Sequence, residues 1–123
     1  MDDLRRLKAE IFQALGHPTR LAILEALQGG ELTVGAILSR LGMAQGNVSQ
    51  HLTVLRGRRL VSIRKEANRV FYSLRDPILG QVLAQMRRYT GSLLDDDLAL
   101  LRELRGSAAA ADHRPRGRRR HRR

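Results

Sequence analysis

Two short helix-forming stretches meet at a single glycine and are followed at once by two β-prone runs, and this order constrains the fold of the 123-residue chain more than any other feature. From Glu31 to Arg56 the pattern predicts a helix capped by Thr33 that carries Ile37, Leu38 and Leu41, then a left-handed joint at Gly42, then a second helix to about Arg56. That is the spacing of a helix-turn-helix. Leu60 to Arg64 and Val70 to Leu74 read as strands around Lys65-Glu66-Ala67-Asn68-Arg69, with Asn68 available for a left-handed position. A hairpin straight after the second helix is a wing.

The flanking segments are helical. Leu4, Leu7, Ile11, Phe12 and Leu15 recur at three- and four-residue steps over about Asp3 to Leu15, so this helix is expected to bury that face. Gly16 and His17-Pro18 stop it, and Pro18 suits the first turn of the next helix, which carries Leu21, Ile23, Leu24 and Leu27 up to Gly29-Gly30. The last helix begins near Asp76-Pro77 and is expected to run to about Leu104, with Gly91-Ser92 as a place to kink. At ~1.5 Å per residue it outruns the compact body. Its apolar residues therefore need a second surface, and a homodimer is expected through the first and last helices, with Leu4, Leu7, Ile11, Leu79, Leu83, Met86, Leu94, Leu98 and Leu101 at the interface.

On the second helix of the helix-turn-helix, Val48, Leu52 and Leu55 form one stripe, while Gln45, Asn47, Ser49, Gln50, Thr53 and Arg56 lie mostly off it. That outer face is polar and nearly free of acid. It suits a major groove, where amides pair with adenine and arginine with guanine. His51 on the same helix is counted with it, as a packing or phosphate-contacting residue. On the wing, Arg64, Lys65, Asn68 and Arg69 are placed to reach backbone phosphates or a minor groove. The charge agrees: 23 Lys and Arg against 12 Asp and Glu give a net +11, which favours a polyanionic partner. Residues 112–123 hold seven Arg against Asp112, a net +6, so +5 remains on residues 1–111.

These residues resemble the ArsR/SmtB family of winged helix-turn-helix transcription regulators over roughly residues 4 to 105. Ala14-Leu15-Gly16-His17-Pro18-Thr19-Arg20-Leu21-Ala22-Ile23-Leu24 looks like the start of the family's second helix. Ser49-Gln50-His51-Leu52 followed by Leu55 looks like its recognition helix, and Tyr72-Ser73-Leu74 resembles the end of its wing. The resemblance implies a dimer on an inverted-repeat operator, usually a repressor released when an effector binds.

Departures from the pattern limit what carries over. Many members have Glu-Leu-x-Val-Cys as a thiolate metal site, whereas here Glu31-Leu32-Thr33-Val34 is followed by Gly35 and the chain has no cysteine. A second family metal site uses Asp, His and Glu on the last helix, which here lacks His and offers Asp95, Asp96, Asp97 and Glu103. The metal ligands are therefore left unassigned, with nickel or zinc as candidate effectors beside a small molecule or a protein partner. Ala44 replaces a capping Ser, which weakens the cap, and Arg58-Arg59 replace Ala-Gly before the wing, which adds candidate phosphate contacts. His17 reads as a structural hydrogen bonder, and His113 and His121 lie in the tail.

The fold class expected is thus mainly α with a β-hairpin wing, in the order of four helices, two strands and a fifth helix. A DNA-binding and dimerisation domain is expected over residues 1–105, with a disordered Arg-rich tail over 106–123. No stretch approaches a membrane span and the first residues lack a signal-peptide layout, so a cytoplasmic location is expected. No catalytic motif appears, so no enzyme is expected. The leading function is sequence-specific regulation on double-stranded DNA; the alternative is a nucleoid-type protein that coats DNA through charge.

Overall fold

The computed structural model describes residues 2–112. Its elements are α1 (Asp3–Leu15), α2 (Pro18–Leu27), β1 (Leu32–Thr33), α3 (Val34–Leu41), α4 (Gln45–Gly57), β2 (Val61–Glu66), β3 (Arg69–Leu74) and α5 (Pro77–Asp112). The chain divides after Ala84 into two units.

Local chemistry sets the boundaries. The Asp2 carboxylate accepts from the Leu4 N–H at 3.0 Å and opens α1. Extended backbone at His17 precedes Pro18, and the His17 Nδ1 accepts from the Thr19 N–H at 3.1 Å, so an imidazole caps α2. The Thr33 hydroxyl accepts from the Ala36 N–H at 3.2 Å and caps α3. Gly42 ends that helix at φ 61° and ψ 34°, its N–H closing on the Leu38 carbonyl at 2.8 Å. Any residue with a Cβ is strained there, which is why the joint of the two helices is a glycine.

The sheet has the order β1-β3-β2, all antiparallel, with Ile63 opposite Tyr72 and Val61 opposite Leu74. β1 was absent from the sequence reading. It is two residues long, with Leu32 opposite Tyr72 and Thr33 opposite Phe71, too short to show an alternating pattern. The hairpin turn differs as well: the left-handed residue is Ala67, at φ 52°, and not Asn68. A two-residue loop with positive φ at its first position matches the right-handed twist of the strands.

Ile23, Leu24 and Leu27 of α2, Ile37 of α3, Val48, Leu52 and Leu55 of α4, and Leu60 and Val61 at the foot of the wing form the buried core. Every element of the helix-turn-helix is thereby fixed to the sheet. From α1 only Ala14 is buried; Ile11 and Leu15 are half-buried against the core while Leu4, Leu7 and Phe12 stay exposed, so the burial expected of that face is only partly met within the chain. Leu83 corrects the expected dimer interface, because at 8% exposure it belongs to the chain's own core. Ile11 and Leu79 pack partly against that core.

α5 opens where the Asp76 carboxylate accepts from the Ile78 N–H at 2.9 Å. It continues to Asp112, past Leu104, and Gly91 lies inside the unbroken helix. Gly106 to Asp112, assigned from sequence to a disordered tail, are helical; the four consecutive alanines from Ala108 are the strongest helix formers available. The rest of that tail lies outside the described residues. Within the second unit Met86, Leu94, Leu98 and Leu101 are exposed, Leu94 by 63%. No helix among the described residues is long and apolar enough to cross a membrane.

Candidate nucleic-acid interface

Helix α4 presents the reading surface. Val48, Leu52 and Leu55 anchor it, and on the remaining arc Gln45, Asn47, Ser49, Gln50, Thr53 and Arg56 are all exposed. No acidic residue occurs between Gln45 and Gly57. The Thr53 hydroxyl donates to the Ser49 carbonyl at 3.0 Å, which leaves its oxygen free to accept but spends its proton inside the helix. Ala44 is the N-cap and supplies no side-chain acceptor, as its identity predicts, so the first N–H groups of α4 lack one of their usual partners.

His51 departs from this face. It is half-buried, its ring centroid 4.3 Å from that of His17, and its Nδ1 accepts from the Arg20 Nε–H at 3.2 Å. Burial, together with His17 and Arg20 beside it, holds its pKa below the usual imidazole value. The His51 ring thus packs within the fold against His17 and Arg20.

On the wing the basic residues divide into two kinds. Arg64 donates to both Glu31 oxygens, at 3.1 and 2.6 Å, and to Glu66 at 2.6 Å, with its guanidinium 4.5 Å from the centre of the Phe71 ring. These bonds lower the Glu31 pKa and raise that of Arg64. Arg64 is neutralised inside the chain and braces the wing against the segment before β1. Lys65, Asn68 and Arg69 are exposed, and among the described residues neither Lys65 nor Arg69 has a carboxylate partner. Arg69 also lies over Phe71, at 5.4 Å. Of the two arginines ahead of the wing, Arg58 pairs with Glu10 of α1 at 3.1 Å, and Arg59 sits at φ 58°.

The carboxylates of α5 do not make a metal centre. Asp95, Asp96 and Asp97 follow one another on a helix, so their side chains fan out by about 100° per residue. Among the described residues no three of His, Cys, Asp or Glu come together.

Helix α4 set on a helix-turn-helix, with a cationic hairpin directly after it, defines a winged helix-turn-helix DNA-binding protein. Comparison with known proteins gives the family. The family described as "Bacterial regulatory protein, arsR family" matches residues 17–62. The HTH-type transcriptional regulator Rv0081 of Mycobacterium tuberculosis is 38% identical over 110 residues, covering 89% of this chain and 96% of its own. Its crystal structure superposes with a TM-score of 0.72 over 80% of this chain and 99% of that one, at 37% identity. The transcriptional repressor SdpR of Bacillus subtilis is 32% identical over 69 residues, 56% of this chain and 77% of that one. A solution structure of Mb0332 from Mycobacterium bovis, described as a homodimeric winged helix-turn-helix DNA-binding domain, matches with a TM-score of 0.71 over 78% of this chain and 93% of that one, at 28% identity. The chain belongs to the arsR family and is a DNA-binding transcriptional regulator.

Proposed function

We propose that the protein acts as a homodimer on an inverted-repeat operator and represses transcription there. Gln45, Asn47, Ser49, Gln50 and Thr53 read base edges, and Arg56, Lys65 and Arg69 hold phosphates, with Asn68 at the wing tip beside the backbone. The observation that carries this reading is the exposed, acid-free polar face of α4, held by three buried side chains and followed directly by a wing whose outer cations have no carboxylate partner among the described residues. The dimer rests on exposed apolar residues, Leu4 and Leu7 on α1 and Met86, Leu94, Leu98 and Leu101 on α5, and on the homodimeric state described for Mb0332. Residues 1–105 supply DNA reading and dimerisation, and the Arg-rich end adds affinity without specificity. Operator release is assigned to an effector that is an ion, a small molecule or a protein partner.

Selection from a pool of random duplexes tests the proposal. The protein is expected to enrich an inverted repeat with half-sites about one helical turn apart. Gln50→Ala is expected to lose preference at one base pair in each half-site. Selection that returns no motif would overturn the reading, as would a reporter on the selected site that is activated and not repressed.

A further inference from the structure

His51 is the one polar side chain of α4 that turns away from the reading face, and its partners lie on a different corner of the fold. Arg20, from the first turn of α2, donates its Nε–H to the His51 Nδ1 at 3.2 Å and a terminal N–H to the Ala14 carbonyl, at the end of α1, at 3.3 Å. The His17 ring packs on His51 while its own Nδ1 accepts from the Thr19 N–H and caps α2. One guanidinium thus joins the end of α1, the start of α2 and the middle of α4.

We propose that Arg20 is a positioning residue for DNA reading, fixing the rotation of α4 through His51 and thereby tying operator affinity to the protonation state of that histidine. The inference rests on α4 being the reading helix. The His51 Nδ1 is the acceptor for the Arg20 N–H, an arrangement that needs a neutral His51 ring with its proton on Nε2. A proton added at the His51 Nδ1 removes the acceptor from Arg20 and sets two cations face to face. The charged and titratable groups that act on His51 are His17 and Arg20, both from α2 and its cap. The adjoining α1 carboxylate, Glu10, is given to Arg58. Among the described residues no carboxylate pairs with His51 or Arg20, so acid strains the cluster and the α4 face turns out of register with the groove.

The test uses the full chain, a labelled duplex from upstream of its own coding sequence, and constant ionic strength. Wild type is expected to lose a few-fold in affinity on going from about pH 8 to about pH 5, the loss setting in below the ordinary imidazole range because the His51 pKa is lowered. His51→Gln keeps an acceptor for Arg20 but cannot titrate; it is expected to bind within a few-fold of wild type at the higher pH and to show a flat profile. Arg20→Ala is expected to bind roughly tenfold more weakly already at the higher pH, again with a flat profile. A His51→Gln variant that keeps the wild-type pH dependence overturns the proposal, as does an Arg20→Ala variant with wild-type affinity. A second readout needs no DNA: in the free protein, acid is expected to shift the α4 amide resonances of wild type and not those of His51→Gln. If wild type fails to prefer its upstream duplex, the regulatory reading falls, and the amide titration still decides the role of Arg20. Unmoved amides in wild type would refute it.

Discussion

The division of the wing cations into paired and unpaired leads to a quantitative expectation about salt. Arg56, Lys65 and Arg69 are exposed and lack a carboxylate partner among the described residues, whereas Arg64 is shared between Glu31 and Glu66. Three free cations per protomer make six in a dimer. Neutralising about six phosphates gives a slope of log affinity against log salt near −5, or about a thousandfold weakening from about 50 to about 200 mM salt. Arg69→Ala removes two of the six, so the slope falls by about 1.8 and the same salt step costs only about a hundredfold. Arg64→Ala leaves the slope unchanged, because that guanidinium is already neutralised within the chain. The comparison between the two variants does not depend on how many arginines beyond Asp112 also engage DNA. Fluorescence anisotropy on one duplex at several salt concentrations measures both slopes. Equal loss of slope in the two variants would show that Arg64 leaves its carboxylates for phosphate, and would refute the division.

Three further expectations concern the scaffold. Ala44→Ser supplies the missing acceptor at the start of α4 and is expected to stabilise the fold by about 0.5 to 2 kcal/mol in denaturant titration; no gain would mean the first turn is already satisfied. Gly42→Ala meets no atom within 4 Å, so its cost is the left-handed backbone alone, about 1 to 2 kcal/mol, and a neutral result would mean the joint is not left-handed in solution. Arg64 holds the Glu31 pKa below its ordinary value of 4.5, so the stability from this contact is present above about pH 4.5 and lost as pH falls through the lowered value. Glu31→Gln is expected to abolish that part of the acid sensitivity; an unchanged acid profile would count against the brace.

Much of the architecture was legible because it depends on neighbours in sequence. Gly42, the Thr33 cap and Pro18 each act within a few residues, and the Val48, Leu52 and Leu55 stripe shows itself by helical spacing. The resemblance to the arsR family rested on the same stretches. What escaped depends on distant partners. β1 exists only because β3 lies beside it, and Leu83 is core only because it packs with residues distant in sequence within the first unit. Ala67 takes the left-handed position because strand twist fixes the loop geometry, overriding the preference of Asn68. The candidate site divides in the same way. Periodicity separates Gln50 from Leu52, but nothing local reveals that Arg64 meets Glu31, 33 residues away, or that His51 meets Arg20, 31 residues away. Glu66 is the only acidic residue between Glu31 and Asp76, and it follows Arg64 and Lys65 alike, so it does not tell them apart.

The most direct test of the account is anisotropy of the full chain on a duplex from upstream of its own coding sequence and on a scrambled duplex, each at two salt concentrations. A sequence-reading α4 predicts far tighter binding to the native duplex at both salts, with a preference that Gln50→Ala reduces. Equal binding to both duplexes, weakening steeply with salt, would mean that charge alone brings the protein to DNA and that the polar face of α4 reads nothing.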